Sequence, residues 1–195
     1  MKAVFLDRDG TINREEPNYL TDIRRLKIFK ESFEAIKLLN QHRFKTIVVT
    51  NQSCVARGLL EEKELIRINE RLKLQLAQKK AFLDSIYYCP HHPTEECRCR
   101  KPNIGLLEQA AREHQISLQK SFFIGDRLFD IDAGKKGGCK TILVLTGAGK
   151  ETLSKLESSS PPALLPDHIA NNILEAVQWV IHEEANSLLL STKTP

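Results

Sequence analysis

A chain of 195 residues, 41% of them hydrophobic, is long enough for one well-filled core. A net charge of +4 and an aromatic content of 6% supply neither the basic balance nor the stacking platforms of a nucleic-acid binder, so a small anionic partner is favoured and no nucleic acid is expected. No stretch reaches the length of a membrane span, and Met1 and Lys2 lead into "AVFLD" without the features of a secretory signal, which reads as a cytoplasmic chain with no membrane partner.

In chain order, short apolar runs rich in β-branched residues occur at Ala3 to Leu6, Thr46 to Thr50, Ser85 to Tyr88, Ser121 to Gly125 and Thr141 to Leu145. Nearly unbroken runs of this length predict strands covered on both faces. Helical periodicity separates them at Ser32 to about Arg43, Glu61 to about Lys80, Ile104 to about His114 and Asp130 to about Gly137. The second of these carries Leu65, Ile68, Leu72 and Leu76 among charges and reads as an ordinary amphipathic surface helix. After the loop Ser158 to Asp167, residues Ile173, Val177, Val180 and Ile181 mark a last helix. Strand alternating with helix predicts an α/β fold, a Rossmann-like three-layer sandwich with a central parallel sheet. One domain is expected over residues 1–184, a monomer by default, with a flexible tail over 185–195.

In such a sheet, ligands bind beyond the carboxyl ends of the strands, and the polar residues gather there. "FLDRDGTIN" ends the first strand in Asp7 and Asp9, which share a face of an extended segment. Two carboxylates so close need a cation between them or a shared proton. Either arrangement is useful, an ionised Asp7 as nucleophile and a protonated Asp9 as acid, and the alternative is a plain acidic turn. "VVTNQS" places Thr50, Asn51 and Ser53 where a phosphate could be held, although a residue such as Thr50 is more often a cap or turn residue. "GDRLFDID" offers Asp126 to complete an oxygen-rich magnesium site with Asp7, whereas Asp130 is expected to cap or begin a helix. Arg100 and Lys101 of "CRKP" bring two cations to the point where the chain re-enters the crevice.

"CPHHPTEECRC" holds Cys89, Cys97 and Cys99 with His91 or His92, a donor set for a closed tetrahedral zinc site. Each close pair has one intervening residue, unlike a zinc finger, so spacing alone leaves reduced or redox-active thiols open. Cys54 and Cys139 are expected to be ordinary thiols, Cys54 the more exposed of the two.

Taken in order, "DRDGT", Thr50, Lys101 and Asp126 resemble the four signatures of the haloacid dehalogenase superfamily of phosphatases. "FLDRDGTIN", "VVTNQS", "VARG", "YYCPHHP" and "CRKP" further resemble the heptose bisphosphate phosphatases, a family that usually has glycine where Cys54 stands. The resemblance implies a fold without a large cap domain but with a zinc-binding loop, and a magnesium-dependent phosphomonoester hydrolase. It implies removal of the C7 phosphate of D-glycero-D-manno-heptose 1,7-bisphosphate, in the biosynthesis of nucleotide-activated heptose. By the same resemblance Asp7 is the nucleophile, Asp9 the acid and base, and Thr50, Arg100 and Lys101 hold the transferring phosphoryl group. Magnesium is then bound by Asp7, the Asp9 carbonyl and Asp126, and structural zinc by Cys89, His91, Cys97 and Cys99. Substrate contacts are implied at Glu15, Glu16, Pro17, Asn18, Asn51, Gln52 and Ser53, with Arg127 a further candidate. The alternatives are histidinol-phosphate phosphatase and, in another class, a zinc-stabilised binding module without catalysis.

Overall fold

The structure is a computed structural model that describes residues 1–158 and 165–191, the side chains of 188–191 excepted. Its elements in chain order are β1 (Ala3–Leu6), α1 (Lys30–Gln41), β2 (Lys45–Asn51), α2 (Glu62–Ala77), β3 (Ser85–Cys89), α3 (Gly105–His114), β4 (Phe122–Gly125), α4 (Leu128–Lys136), β5 (Lys140–Val144), α5 (Gly149–Ser158), β6 (His168–Ala170) and α6 (Ile173–Ser191). The strands form one parallel sheet in the order β3-β2-β1-β4-β5-β6.

Strand alternation distributes the side chains to two cores. Val4, Leu6, Val48, Ile124 and Ile142 point to one face, where they meet Ile36 and Leu39 of α1, Leu65 and Leu72 of α2 and Val177 and Val180 of α6. Ala3, Phe5, Ile47, Val49 and Phe123 point to the other, against Leu107 and Ala110 of α3 and Ala133 of α4. Leu156 of α5 joins Ile131 and Leu143 on a smaller cluster. The three-layer sandwich expected from the sequence is therefore present. Between β1 and α1 the chain makes an excursion with one 3-10 turn, Ile23–Arg25, rather than a cap domain.

All five expected strands form. β6 and α5 were not expected: β6 is a three-residue edge strand, too short for a periodic signal, and the buried stripe of α5 is reduced to Gly149, Thr152 and Leu156. α4 starts at Leu128 rather than Asp130, which makes Asp130 its third residue. α6 continues past Glu184 to Ser191, through a stretch whose Ala185 and three leucines favour helix, and so enters the expected tail. Residues 192–195, and 159–164 of the loop before β6, lie outside the described residues.

The strand order reverses between β1 and β4, which opens a crevice at their carboxyl ends. Asp7 follows β1 and Asp126 follows β4, so the topology sets these carboxylates side by side.

Candidate active site

Asp7 is 5% exposed, and its amide extends the ladder by donating to the Ile124 carbonyl at 2.9 Å. Lys101 Nζ lies 2.6 Å from Asp7 Oδ1, 2.6 Å from Asp130 Oδ1 and 2.6 Å from the Val49 carbonyl. It also lies between the rings of Phe123 and Phe129. Burial alone would lower the Lys101 pKa, but Asp130 and Asp7 more than offset it and hold the ammonium charged. Asp130 accepts from the Arg127 amide through Oδ2 at 3.0 Å, which is the helix-capping role expected of it, while Oδ1 pairs with Lys101.

Asp126 is fully buried. Its Oδ2 accepts from the Ala148 amide at 2.7 Å, while Oδ1 has no partner among the described residues. Burial, with the charges of Asp7 and Asp130, pushes Asp126 up to about 8. Burial likewise raises Asp7 to about 7 against the pull of Lys101. Carboxyl oxygens of Asp7, Asp126 and Asp130 lie within 4.8 Å of one another. Three buried carboxylates around one ammonium form a site short of positive charge, and the orphaned Asp126 oxygen fits a hard divalent cation. Asp130 takes the Arg127 amide on Oδ2 and faces Lys101 in an ion pair, without a hydrogen bond, on Oδ1, so the carboxylates with an oxygen clear of both kinds of contact are Asp7 and Asp126.

Gly10 and Gly147 make this approach possible. Both have positive φ, +88° and +54°, and a Cβ on either would sit 2.3 Å from Asp126 Oδ2.

Asp9 is held differently. Arg8, fully buried, donates through Nη2 to Oδ2 at 2.7 Å, Asn13 Nδ2 donates to Oδ1 at 2.8 Å and Gln52 Nε2 donates to Oδ2 at 2.8 Å. Burial would raise the Asp9 carboxyl, but these donors outweigh it and keep the pKa below the ordinary carboxylate range. Gln52 also donates to Thr50 Oγ1 at 2.9 Å, and Cys54 Sγ lies 3.7 Å from Gln52 Oε1.

A crevice of about 80 Å³ at this point is lined by Asp7, Asp9, Glu15, Glu16, Thr50, Asn51 and Arg127, together with Tyr19, Leu20 and Phe129. Glu15, Glu16 and Arg127 also border an open recess of about 640 Å³ that includes Pro17. Arg127 pairs with Glu15, and Glu16 with Arg25. Asn18 is exposed and lines neither space. Gln52 and Ser53 are buried, Ser53 beside the Tyr19 hydroxyl at 3.3 Å. The Asn51 carboxamide is taken up by the Lys101 backbone. Arg100 carries a buried Nη1 without a partner among the described residues. A separate recess of about 570 Å³ at the opposite end of the sheet is lined by Lys2, Lys140, Glu183 and Glu184, whose charges pair with each other, and holds none of this chemistry.

The cysteine loop gathers its donors. Sγ atoms of Cys89, Cys97 and Cys99 lie 3.2 to 3.4 Å apart, and His91 Nδ1 is 3.1 Å from Cys99 and 3.6 Å from Cys89. His92 is turned away to cap the turn at Pro93–Glu95, with Nδ1 2.8 Å from Thr94 Oγ1, so geometry selects His91. Three thiols and an imidazole suit zinc. Cys54, expected to be the more exposed of the other two thiols, is fully buried in the core under α2, whereas Cys139 is 4% exposed. The turn that carries Cys54 folds inward, with the Leu59 and Leu60 amides donating to the Cys54 carbonyl.

Arg8, Asn13 and Asn69 belong to the site but were not expected. A charge between two aspartates just past a buried strand was the available signal for Arg8, and a single polar residue in the apolar stripe of α2 was the signal for Asn69.

A HAD-hydrolase-like family model matches residues 98–176. The chain is 35% identical over 192 residues to the D-glycero-D-manno-heptose-1,7-bisphosphate 7-phosphatase of Chlorobaculum tepidum, covering 92% of this chain and 94% of the relative. The chain belongs to this phosphatase family. The D-glycero-beta-D-manno-heptose-1,7-bisphosphate 7-phosphatase of Photorhabdus laumondii is 44% identical over 154 residues, 74% of this chain and 81% of that one. Among solved structures, the D,D-heptose 1,7-bisphosphate phosphatase from B. bronchiseptica, complexed with magnesium and phosphate, superposes with a TM-score of 0.85 at 31% identity, covering 94% of this chain and 99% of that chain. The protein is thus a haloacid dehalogenase-type enzyme that hydrolyses a phosphomonoester, and among its described residues no helix is long and apolar enough to cross a membrane.

Proposed function

We propose that the protein removes the C7 phosphate of D-glycero-D-manno-heptose 1,7-bisphosphate, giving heptose 1-phosphate and inorganic phosphate, in the biosynthesis of nucleotide-activated heptose. The observation that carries this reading is the buried Asp7 carboxylate, paired with Lys101 and set beside the unpartnered Asp126 oxygen at the crevice floor. Relatives that match the chain over most of its length are named for that substrate.

An Asp7 oxygen attacks phosphorus, the bond from phosphorus to the C7 oxygen breaks, and Asp9 supplies the proton that the departing alkoxide takes up. The aspartyl-phosphate is then opened by water, whose proton Asp9 accepts as the bond from phosphorus to Asp7 breaks. Without substrate, Asp9 is held ionised by Arg8. Arrival of a phosphate dianion beside it raises its proton affinity, so Asp9 takes up a proton from solvent and the acid arises in the complex. Lys101, Thr50 and the unpaired Arg100 Nη1 offset the charge on the equatorial oxygens, where most of the demand of phosphoryl transfer lies. Asp7 and Asp126, with the Asp9 carbonyl that the resemblance implies, would hold magnesium, which would neutralise negative charge on the phosphoryl group.

Cys89, His91, Cys97 and Cys99 would hold zinc through four protein ligands, which leaves no open position and gives it a structural role. Cys99 is followed directly by Arg100 and Lys101, so ordering the loop orders both cations. None of the five cysteines is in a disulfide, which suits a reducing cytoplasm.

The test is magnesium-dependent phosphate release from both anomers of heptose 1,7-bisphosphate, histidinol phosphate and a 3′-phosphorylated oligonucleotide, with Asp7→Asn as control. Preferential turnover of a heptose bisphosphate, lost in the variant, is expected. Preference for histidinol phosphate would keep the chemistry and overturn the substrate, and binding without turnover on every substrate would overturn both.

A further inference from the structure

Arg8 stands between Asp7 and Asp9 in the bend just past β1, and its side chain runs toward α2, where it meets Asn69. There it is fully buried, and its donors divide between two acceptors. Nε lies 3.3 and 3.2 Å from the Asp9 oxygens and Nη2 lies 2.7 Å from Oδ2, while Nη1 donates to Asn69 Oδ1 at 2.9 Å. Asn69 is 4% exposed and sits in the buried stripe of α2 with Leu65, Ile68, Leu72 and Leu76. Asparagine forms helix less well than leucine, and a buried amide is costly unless bonded. Among the described residues its hydrogen bond is to Arg8. A buried ion pair is weak grounds for stability, since apolar residues of similar volume serve as well. What the Asn69–Arg8–Asp9 chain supplies is direction.

We propose that Asn69 is a positioning residue for phosphoryl transfer, acting through the Arg8 guanidinium to hold the Asp9 carboxylate toward the leaving oxygen. Arg8 reaches Asp9 from the α2 side, while the buried Asn13 and Gln52 each donate to one of its oxygens. Two neutral donors hold the carboxylate less firmly than a charged, two-nitrogen contact does. The guanidinium fixes the carboxylate only if it is itself fixed, and Asn69 is the contact on its far side. This rests on the reading of Asp9 as the acid that protonates the leaving group.

The discriminating measurement is kcat/KM, which reports steps through formation of the aspartyl-phosphate, on heptose 1,7-bisphosphate and on p-nitrophenyl phosphate. The nitrophenolate departs without a proton, whereas the sugar alkoxide requires one. Asn69→Leu and Asn69→Ser are compared with wild type and with Asp9→Asn, and thermal melts confirm that each is folded. Asn69→Ser removes the carbonyl without pressing apolar bulk against the guanidinium. The expected result is a fall of about ten-fold on the sugar phosphate and less than about two-fold on the aryl phosphate, in the direction of a larger split for Asp9→Asn. Equal losses on both substrates would mark Asn69 as merely structural, and no loss on either would remove the proposal. If Asp9→Asn itself shows no split, the acid role of Asp9 falls and this inference falls with it. If Asp9→Asn splits the substrates and neither Asn69 variant does, the inference alone is overturned.

Discussion

Asn51 holds the backbone of Lys101 at both ends of its carboxamide: the Lys101 amide donates to Oδ1 at 3.0 Å, and Nδ2 donates to the Lys101 carbonyl at 3.1 Å. The last residue of β2 thereby seats the one ammonium at the nucleophile. Asn51→Ala removes both contacts, and a displacement of Lys101 by an ångström is enough for a loss of about 100-fold in kcat. Asn51→Asp keeps the acceptor and should fall between. Steady-state kinetics with zinc content measured in parallel checks this. A rise in KM with kcat unchanged would assign Asn51 to direct substrate contact instead.

Gly147 should tolerate no side chain. Its Cβ would lie 2.3 Å from Asp126 Oδ2 and 2.5 Å from Gly10 Cα, at a φ of +54° that already disfavours one. Gly147→Ala must push Asp126 away from Asp7, at a cost of about 1–3 kcal/mol in stability and with weakened magnesium dependence. Activity titrated against magnesium reads the second effect. An unchanged half-saturating concentration in a folded variant would show that the turn can shift without moving Asp126.

The sheet, its five main strands and the aspartates at the crevice were legible in the sequence because each depends on local pattern. Buried parallel strands announce themselves by apolar runs, and Asp7 and Asp126 follow such runs directly. The second role of Asp130 was not legible. Its capping bond is local, but its contact with Lys101 spans β4, α4 and the zinc loop, and no spacing rule carries that information. The same applies to the contacts that Asn51 and Gln52 make with Lys101, Thr50 and Asp9 through their amides, beside the substrate contacts that the resemblance implies for them. Asn69 was passed over because four correctly spaced apolar residues were enough to explain α2.

Thiol titration should separate the cysteines into two classes. Cys54 and Cys139 are buried, and burial raises both, Cys139 to about 12, so they stay protonated and unreactive near neutral pH. Stripping zinc exposes Cys89, Cys97 and Cys99 to a disulfide reagent, and activity should decline in step as Arg100 and Lys101 lose their anchor. Protein shown to be free of zinc, with three reactive thiols and full activity, would separate the loop from catalysis.

Cys54 occupies a place where relatives are expected to have glycine, and its surroundings give it a task. Its thiol lies 3.7 Å from Gln52 Oε1, which orients the amide so that Nε2 faces Asp9 Oδ2 and Thr50 Oγ1, both at hydrogen-bond distance. Cys54→Gly removes this contact and opens space in the core, with an expected stability loss of about 2 kcal/mol. It also frees Gln52 to rotate, which would turn a carbonyl oxygen toward the Asp9 carboxylate and lower kcat several-fold. Cys54→Ser keeps a donor at the same place and should retain more of the activity. Thermal melts and kinetics of the two variants side by side decide it. Equal kcat in both, with stability lost only in the glycine variant, would make Cys54 a packing residue and leave the orientation of Gln52 to Asp9 and Thr50 alone.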